Sequence, residues 1–326
     1  MLNASRFDPA SSAGFYESYF QRANHPKLPL AFWIRYTVFS PRGRPDDAVG
    51  QLWAVYFDGT NGRHLALKRA APLSECFFSR SGLDVRVGEA TLDGRALRGE
   101  ISDGGQALAW DLAYAGEERP LLLMEPSAYD RRFPSAKALS GTPLATFNGT
   151  VTVNGQTVTV DEWVGSQNHN WGTRHTDRYA WGQVEGFDDD PDAVLECSTA
   201  RLKLGPIWTP PLTLLVLRVG GSEYALNSTR QALRTHGSYD YFSWAIEGAS
   251  GATTIRVSLE AKPESFVGLA YENPPGGVKT CLNTKLAACR VSVESAGRAP
   301  VQLRTESRAA FEIVTDDGSH GIAVAA

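Results

Sequence analysis

Short runs of aromatic and β-branched residues, each closed off by Gly, Pro, Asn or Asp, recur along the chain. A spacing of roughly ten residues between turn signals belongs to sandwiches and barrels rather than to βαβ units. Ala31–Phe39, Gln51–Asp58 and Gln106–Tyr114 are early examples, and the clearest is Val151–Val160. There Asn154-Gly155 sits between alternating Thr and Val, the favoured two-residue hairpin, because both central residues must take positive φ. Arg178–Glu185, Ala193–Leu204, Pro211–Val219, Tyr239–Ile246, Thr253–Ala261 and Ala288–Val293 continue the series. Helical signals are few: two-turn helices are predicted over Phe15–Ala23 and Pro72–Phe78, and no 3.6-residue repeat is sustained. Pro120–Pro143, with Pro126 and Pro134 and no alternation, reads as an irregular excursion. Roughly eighteen to twenty strands exceed one ordinary closed barrel. Two β domains are therefore expected, 1–172 and 173–326.

Composition narrows the function classes. Lys and Arg total 32 against 36 Asp and Glu, a net charge of −4, which gives no electrostatic footprint for nucleic acid. Eight Trp, 11 Tyr and 14 Phe beside 2 Met point to aromatic-lined surfaces or pockets. The best apolar run, Leu212–Val219, is short and interrupted by Thr213 and Arg218, so no transmembrane segment is expected. Transient membrane contact stays open. Met1–Asp8 lacks the apolar stretch of a signal peptide, and a cytoplasmic location is expected. Cys76, Cys197, Cys281 and Cys289 have no C-x-x-C spacing. Reduced thiols are the simpler expectation; the alternative is a Cys281–Cys289 bridge across a hairpin.

One stretch is unlike a core or a turn: Asp161 to Gly172, ending Gln167-Asn168-His169-Asn170-Trp171-Gly172. On a strand, Asn168 and Asn170 share one face and His169 and Trp171 the other. Burying Asn or His without partners costs a few kcal/mol. The cluster is thus either a hydrogen-bonded network knitting two barrels together or the wall of a polar ligand site. The strand after it carries Tyr179, Trp181, Gln183 and Glu185 on one face, which suits either an apolar pocket with a few polar tips or an amphipathic surface strand. Glu196 falls on the face of Val194, Ala200, Leu202 and Leu204. Apolar surroundings would raise its pKa and make it a proton donor, unless that face is not the buried one or an Arg pairs with it. His169, His175 and Asp177 lie close together, but their spacing fits no standard zinc or iron site, and no metal is expected. Neither G-x-S-x-G nor a Rossmann G-x-G-x-x-G is present.

Gly165 to Gly172, with its His-Asn-Trp-Gly ending, followed by Trp181 and Gln183, resembles the tandem lipocalin-like superfamily. That group includes carotenoid 1,2-hydratases (hydroxyneurosporene synthases), AttH-like proteins and tocopherol cyclases. Tyr16-Glu17-Ser18-Tyr19 is similar to the family's Glu-Gly-Trp-Tyr opening, with Ser18 in place of Gly. Gln167 and Asn168 stand where the hydratases and cyclases often carry His or Asp. The resemblance implies an all-β fold of two lipocalin-like barrels in tandem, with an isoprenoid or other lipid-like ligand within or between them. It also implies cofactor-free hydratase- or cyclase-like chemistry, the alternative being a non-catalytic lipid carrier. A carbohydrate-binding or structural β-sandwich is the third class. Adding water or a phenol to an alkene begins with protonation in a dry pocket. His169, Glu196 and Glu17 are the candidate acids. Asn168, Asn170, Trp171, Tyr179, Trp181 and Gln183 are the candidate binding residues, the indoles shielding the cation.

Overall fold

The computed structural model describes residues 2–116 and 118–326, and its 24 strands form two large antiparallel sheets and one two-stranded ribbon. The first sheet has 12 strands and runs from Phe15–Asn24 to Gln156–Gly172; the second has 10 and runs from Arg178–Glu185 to Val301–Thr315. Each is a meander whose first strand pairs with its last. Each curls into a barrel-like sheet around its own apolar filling.

Three cores account for the arrangement. Tyr19, Phe32, Leu52, Trp110, Phe147 and Trp163 belong to the core of the first sheet. Ala180, Leu195, Leu217, Trp244, Ile255 and Phe311 belong to that of the second. The third core lies between them, where Phe20, Trp33, Trp53 and Leu123 meet Trp181, Tyr271, Ala310 and Val314. Strand alternation sends successive residues to opposite faces. Tyr19 therefore packs inside the first barrel while Phe20 packs against the second.

The Asn-Gly turn forms as expected, Asn154 and Gly155 taking φ of 49° and 82° between Ala136–Val153 and Gln156–Gly172. Gly165 is needed for a different reason. A Cβ there would collide with the carbonyl of Arg22, so only glycine lets the long strand lie against Phe15–Asn24.

Several expectations are corrected. Phe15–Ala23 is not helical: Phe15–Asn24 is a strand, and Tyr16 to Asn24 are all buried because one face serves each core. A strand buried on both faces loses the polar alternation that would have revealed it. Pro72–Phe78 resolves into a 3-10 turn, Leu73–Glu75, and a short strand, Cys76–Phe78. The one α-helix among the described residues, Thr229–Arg234, was not anticipated, although Ser228 and Gln231 form a capping box. Tyr239–Ile246 is split by a turn between His236–Tyr239 and Ser243–Ser250. Ala288–Val293 is part of Val278–Ser295, a single strand carrying both Cys281 and Cys289. No hairpin joins those two cysteines; eight residues of strand hold them roughly 26 Å apart. All four cysteines are free. The strand Ala136–Val153 begins inside the Pro120–Pro143 excursion, whose remainder holds only Leu121–Leu122 and the turn Pro126–Ala128.

Candidate active site

The two barrels leave a cleft of about 280 Å³ between their facing outer surfaces. One wall comes from the first sheet, with Tyr16, Phe20, Ala136, Ala138, Asn168 and Asn170. The opposite wall comes from the second sheet, with Tyr179, Trp181, Glu196, Ser198, Leu214 and Glu312. Leu123, Met124, Phe133 and Pro134 of the excursion, with Ala232 of the helix, complete the enclosure. No helix among the described residues is long and apolar enough to cross a membrane.

Glu196 is the distinctive group in this cleft. It is 1% exposed, and the Trp181 indole N–H donates to its Oε1 at 3.1 Å. Its Oε2 is buried with no hydrogen-bond partner among the described residues. Burial pushes the Glu196 carboxyl up to about 7, against opposing pulls from Trp181, Arg22 and Arg218. A carboxyl group raised so far that it still holds its proton part of the time near pH 7, in an aromatic-lined cleft, is suited to donate that proton. Trp181 and Tyr179 share its wall.

Asn168 and Gln183 come together as part of a network. Arg22 is fully buried and donates from Nε to Gln183 Oε1 (3.1 Å) and from Nη2 to the Gln183 carbonyl (3.0 Å). Gln183 Nε2 donates to Asn168 Oδ1 at 2.8 Å, and Asn168 Nδ2 to Ser166 Oγ at 2.8 Å. Arg22 also reaches Asn24, whose Nδ2 bonds the Lys285 carbonyl. Gln183 does not line the cleft. Both of its amide atoms are occupied in joining the barrels, so the structural reading describes it better than the binding one. Asn168 lines the cleft with its amide likewise occupied, whereas Asn170 Oδ1 is buried without a partner among the described residues.

Glu17 and His169 form a separate unit. Tyr19 stands opposite His169 in the register and stacks on its ring at 4.2 Å, on the barrel-interior face. His169 borders the cleft, but its ring is engaged elsewhere: Nε2 lies 3.0 Å from Glu17 Oε1 and Nδ1 3.1 Å from the Leu2 carbonyl. Ser5 Oγ donates to Glu17 at 2.6 Å and the Arg6 amide at 2.9 Å. Burial pushes Glu17 up, but these bonds together outweigh it and hold the carboxyl below its usual range. Trp171 lies beneath the Arg6 guanidinium at 3.7 Å. Neither Glu17 nor Trp171 lines the cleft. All three residues instead fasten the N-terminal segment across the first barrel.

Sequence reasoning missed Tyr16, His175, Tyr271 and Glu312, all of which border the cleft. His175 is sandwiched by Tyr16 (4.0 Å) and Tyr271 (5.6 Å), and burial lowers it to about 3. Asp177 pairs instead with Arg174, and among the described residues no cluster of His, Cys, Asp and Glu could hold a metal. Glu312 had a readable signal, being the lone charge in Ala309-Ala310-Phe311-Glu312-Ile313-Val314.

Residues 137–314 match the profile of the family described as tocopherol cyclase-like. An uncharacterised protein of Mycobacterium tuberculosis, found in two strains, is 28% identical over 308 residues, covering 90% of this chain and 88% of its own. Three solved structures share the fold. An AttH-like protein of Nitrosomonas europaea has a TM-score of 0.58 at 14% identity, covering 95% of this chain and 96% of its own. Kievitone hydratase of Nectria haematococca has a TM-score of 0.60 at 13% identity, with coverages of 93% and 89%. CghA has a TM-score of 0.57 at 11% identity, with coverages of 97% and 95%. The architecture is therefore that of two lipocalin-like barrels in tandem.

Proposed function

The chain belongs to the tocopherol cyclase-like family, and from that premise we propose that it binds an isoprenoid or similar lipid-like molecule in the inter-barrel cleft and adds an oxygen nucleophile across one of its double bonds. The observation that carries this reading is Glu196: a buried carboxyl raised to about 7, with one oxygen anchored by Trp181 and the other without a partner among the described residues. Glu196 gives its proton to an alkene carbon, and the cation that forms at the neighbouring carbon faces the Trp181 and Tyr179 rings. A water or a phenolic hydroxyl of the substrate then forms the C–O bond and releases its proton. Water gives a tertiary alcohol, and a phenol gives a cyclic ether. No step calls for a cofactor. The hydratase among the structural neighbours supports this class of reaction without naming the substrate.

The test uses 2-prenylphenol, which carries both an alkene and a phenol, in D₂O. Wild-type protein should yield adduct bearing one carbon-bound deuterium, and Glu196→Gln should lower the rate ~10²-fold or more, the usual worth of general acid catalysis. Quenching of Trp fluorescence by the probe without product or deuterium would make the protein a carrier. Unchanged turnover in Glu196→Gln would remove Glu196 as the acid.

A further inference from the structure

We propose that Glu312 is the base that receives the nucleophile's proton, facing the acid Glu196 across the indole of Trp181. This rests on the reaction class proposed above and adds the second half of its proton inventory.

The register places the two carboxyl groups. Trp181 stands opposite Glu312 on one side and Ser198 on the other, and its indole N–H reaches Glu196 two residues further along. At ordinary strand spacings the two glutamate Cα atoms are roughly 12 Å apart. Both residues line the same cleft. Their surroundings differ in one respect. Among the described residues Glu196 has no cation in hydrogen-bond contact, whereas Lys285 Nζ lies 2.9 Å from Glu312 Oε1, and Asn283 Nδ2 donates to the same oxygen at 2.9 Å. Glu312 Oε2 keeps only a weak thiol contact from Cys281, at 3.7 Å.

Lys285 is fully buried, with its ammonium 5.6 Å from the Trp33 ring and 5.9 Å from that of Trp181. Taking an ammonium out of water costs several kcal/mol, and apolar replacements of buried pairs are often as stable. What the pair provides here is a carboxyl group lining the cleft with one oxygen fixed by Lys285 and Asn283 and the other held only by the weak thiol contact. One carboxyl group held by an ammonium and one held by an indole N–H, on the same cleft, divide base from acid by their partners.

The protons then balance. The alkene π pair takes the Glu196 proton, forming a C–H bond, a tertiary cation and a Glu196 carboxylate. An oxygen lone pair of water or phenol forms the C–O bond, and the O–H proton passes to Glu312. Exchange with solvent returns Glu196 to the acid and Glu312 to the carboxylate. With no base beside the nucleophile, the cation collapses by giving a carbon-bound proton back to Glu196, which regenerates an alkene.

The experiment is product partition from 2-prenylphenol in D₂O. Glu312→Gln should lower the ratio of adduct to deuterium-exchanged or isomerised alkene by ~10²-fold, the scale of a lost general base. Glu312→Asp should restore part of it, and Glu196→Gln should lower the rate of carbon deuteration ~10²-fold across all products while leaving their ratio unchanged. Should Glu312→Gln fail to fold, the double variant Lys285→Met with Glu312→Gln removes the base together with its buried cation, and the same fall is expected. A Glu312 variant that keeps the wild-type ratio overturns the proposal and leaves the role of Glu196 standing. A wild-type protein that puts no deuterium on carbon overturns both.

Discussion

Glu17 Oε1 lies 3.0 Å from His169 Nε2, and neither side chain has any solvent exposure. The remaining hydrogen bonds of the pair, among the described residues, come from the N-terminal segment: the Leu2 carbonyl on Nδ1 of His169, and Ser5 and the Arg6 and Phe7 amides on the carboxylate. A neutral imidazole can donate from only one nitrogen. With an acceptor at each nitrogen and burial disfavouring the doubly protonated ring, the imidazole donates to one of the two acceptors at a time.

Removing one partner should therefore be costly. His169→Phe leaves a buried carboxylate without its ring donor and is expected to destabilise the fold by ~3 kcal/mol. Urea denaturation measures it. A loss below about 1 kcal/mol, the net worth of one ordinary hydrogen bond, would show that the pair contributes little.

Stability should fall as pH rises through the region where two buried acids, Glu196 and Glu185, ionise. Burial raises Glu196 to about 7 and Glu185 to about 8 from an ordinary 4.5. Between those limits the folded chain holds protons that the unfolded chain has released, so unfolding is favoured by each increment of pH. For Glu196 the loss is about 3 kcal/mol, complete above roughly pH 7. Glu196→Gln should lose less stability than wild type between pH 5 and 8 in a series of urea melts. Parallel curves for the two proteins would contradict the assignment.

Turnover should follow the same carboxyl. If Glu196 must be protonated to act, kcat/KM for 2-prenylphenol declines about tenfold per pH unit above its ionisation near 7. A rate that keeps rising to pH 9 would point to a different acid.

Gly165→Ala should abolish or severely weaken folding, because its Cβ would meet the Arg22 carbonyl on a strand that cannot retreat. Gly155→Ala, at a turn with open space but φ of 82°, should cost only about 1 kcal/mol. Similar melting temperatures for the two variants would be inconsistent with this packing.

Treatment with a chelator should leave the melting temperature unchanged, since His175 is held between two tyrosine rings and His169 is engaged by Glu17 and Leu2. A drop of several degrees, reversed by zinc, would contradict that expectation.

The β character was legible because turn chemistry is local: Asn154-Gly155 announces its hairpin wherever it occurs. The strand Phe15–Asn24 was not, since both of its faces are buried and periodicity has nothing to contrast. In the site, Trp181 and Glu196 stood out as aromatic and acidic residues on alternating positions, and both border the cleft. Trp171 and Gln183 stood out equally and do not, because the same residue types serve networks and ligands alike. Lys285 and Glu312 lie 27 residues apart on neighbouring strands, and only the fold reveals that one completes the other.

Since the cleft is bounded by the outward faces of two barrels whose interiors are already filled, the residues a ligand would meet are largely not those on which either barrel depends for its packing. Enlarging or reshaping the cavity at Leu123, Phe133 or Leu214 leaves both interiors untouched. An architecture of this kind can exchange one guest for another through a handful of substitutions while its scaffold stays the same, and sequences can drift far apart in chemistry before they part in shape.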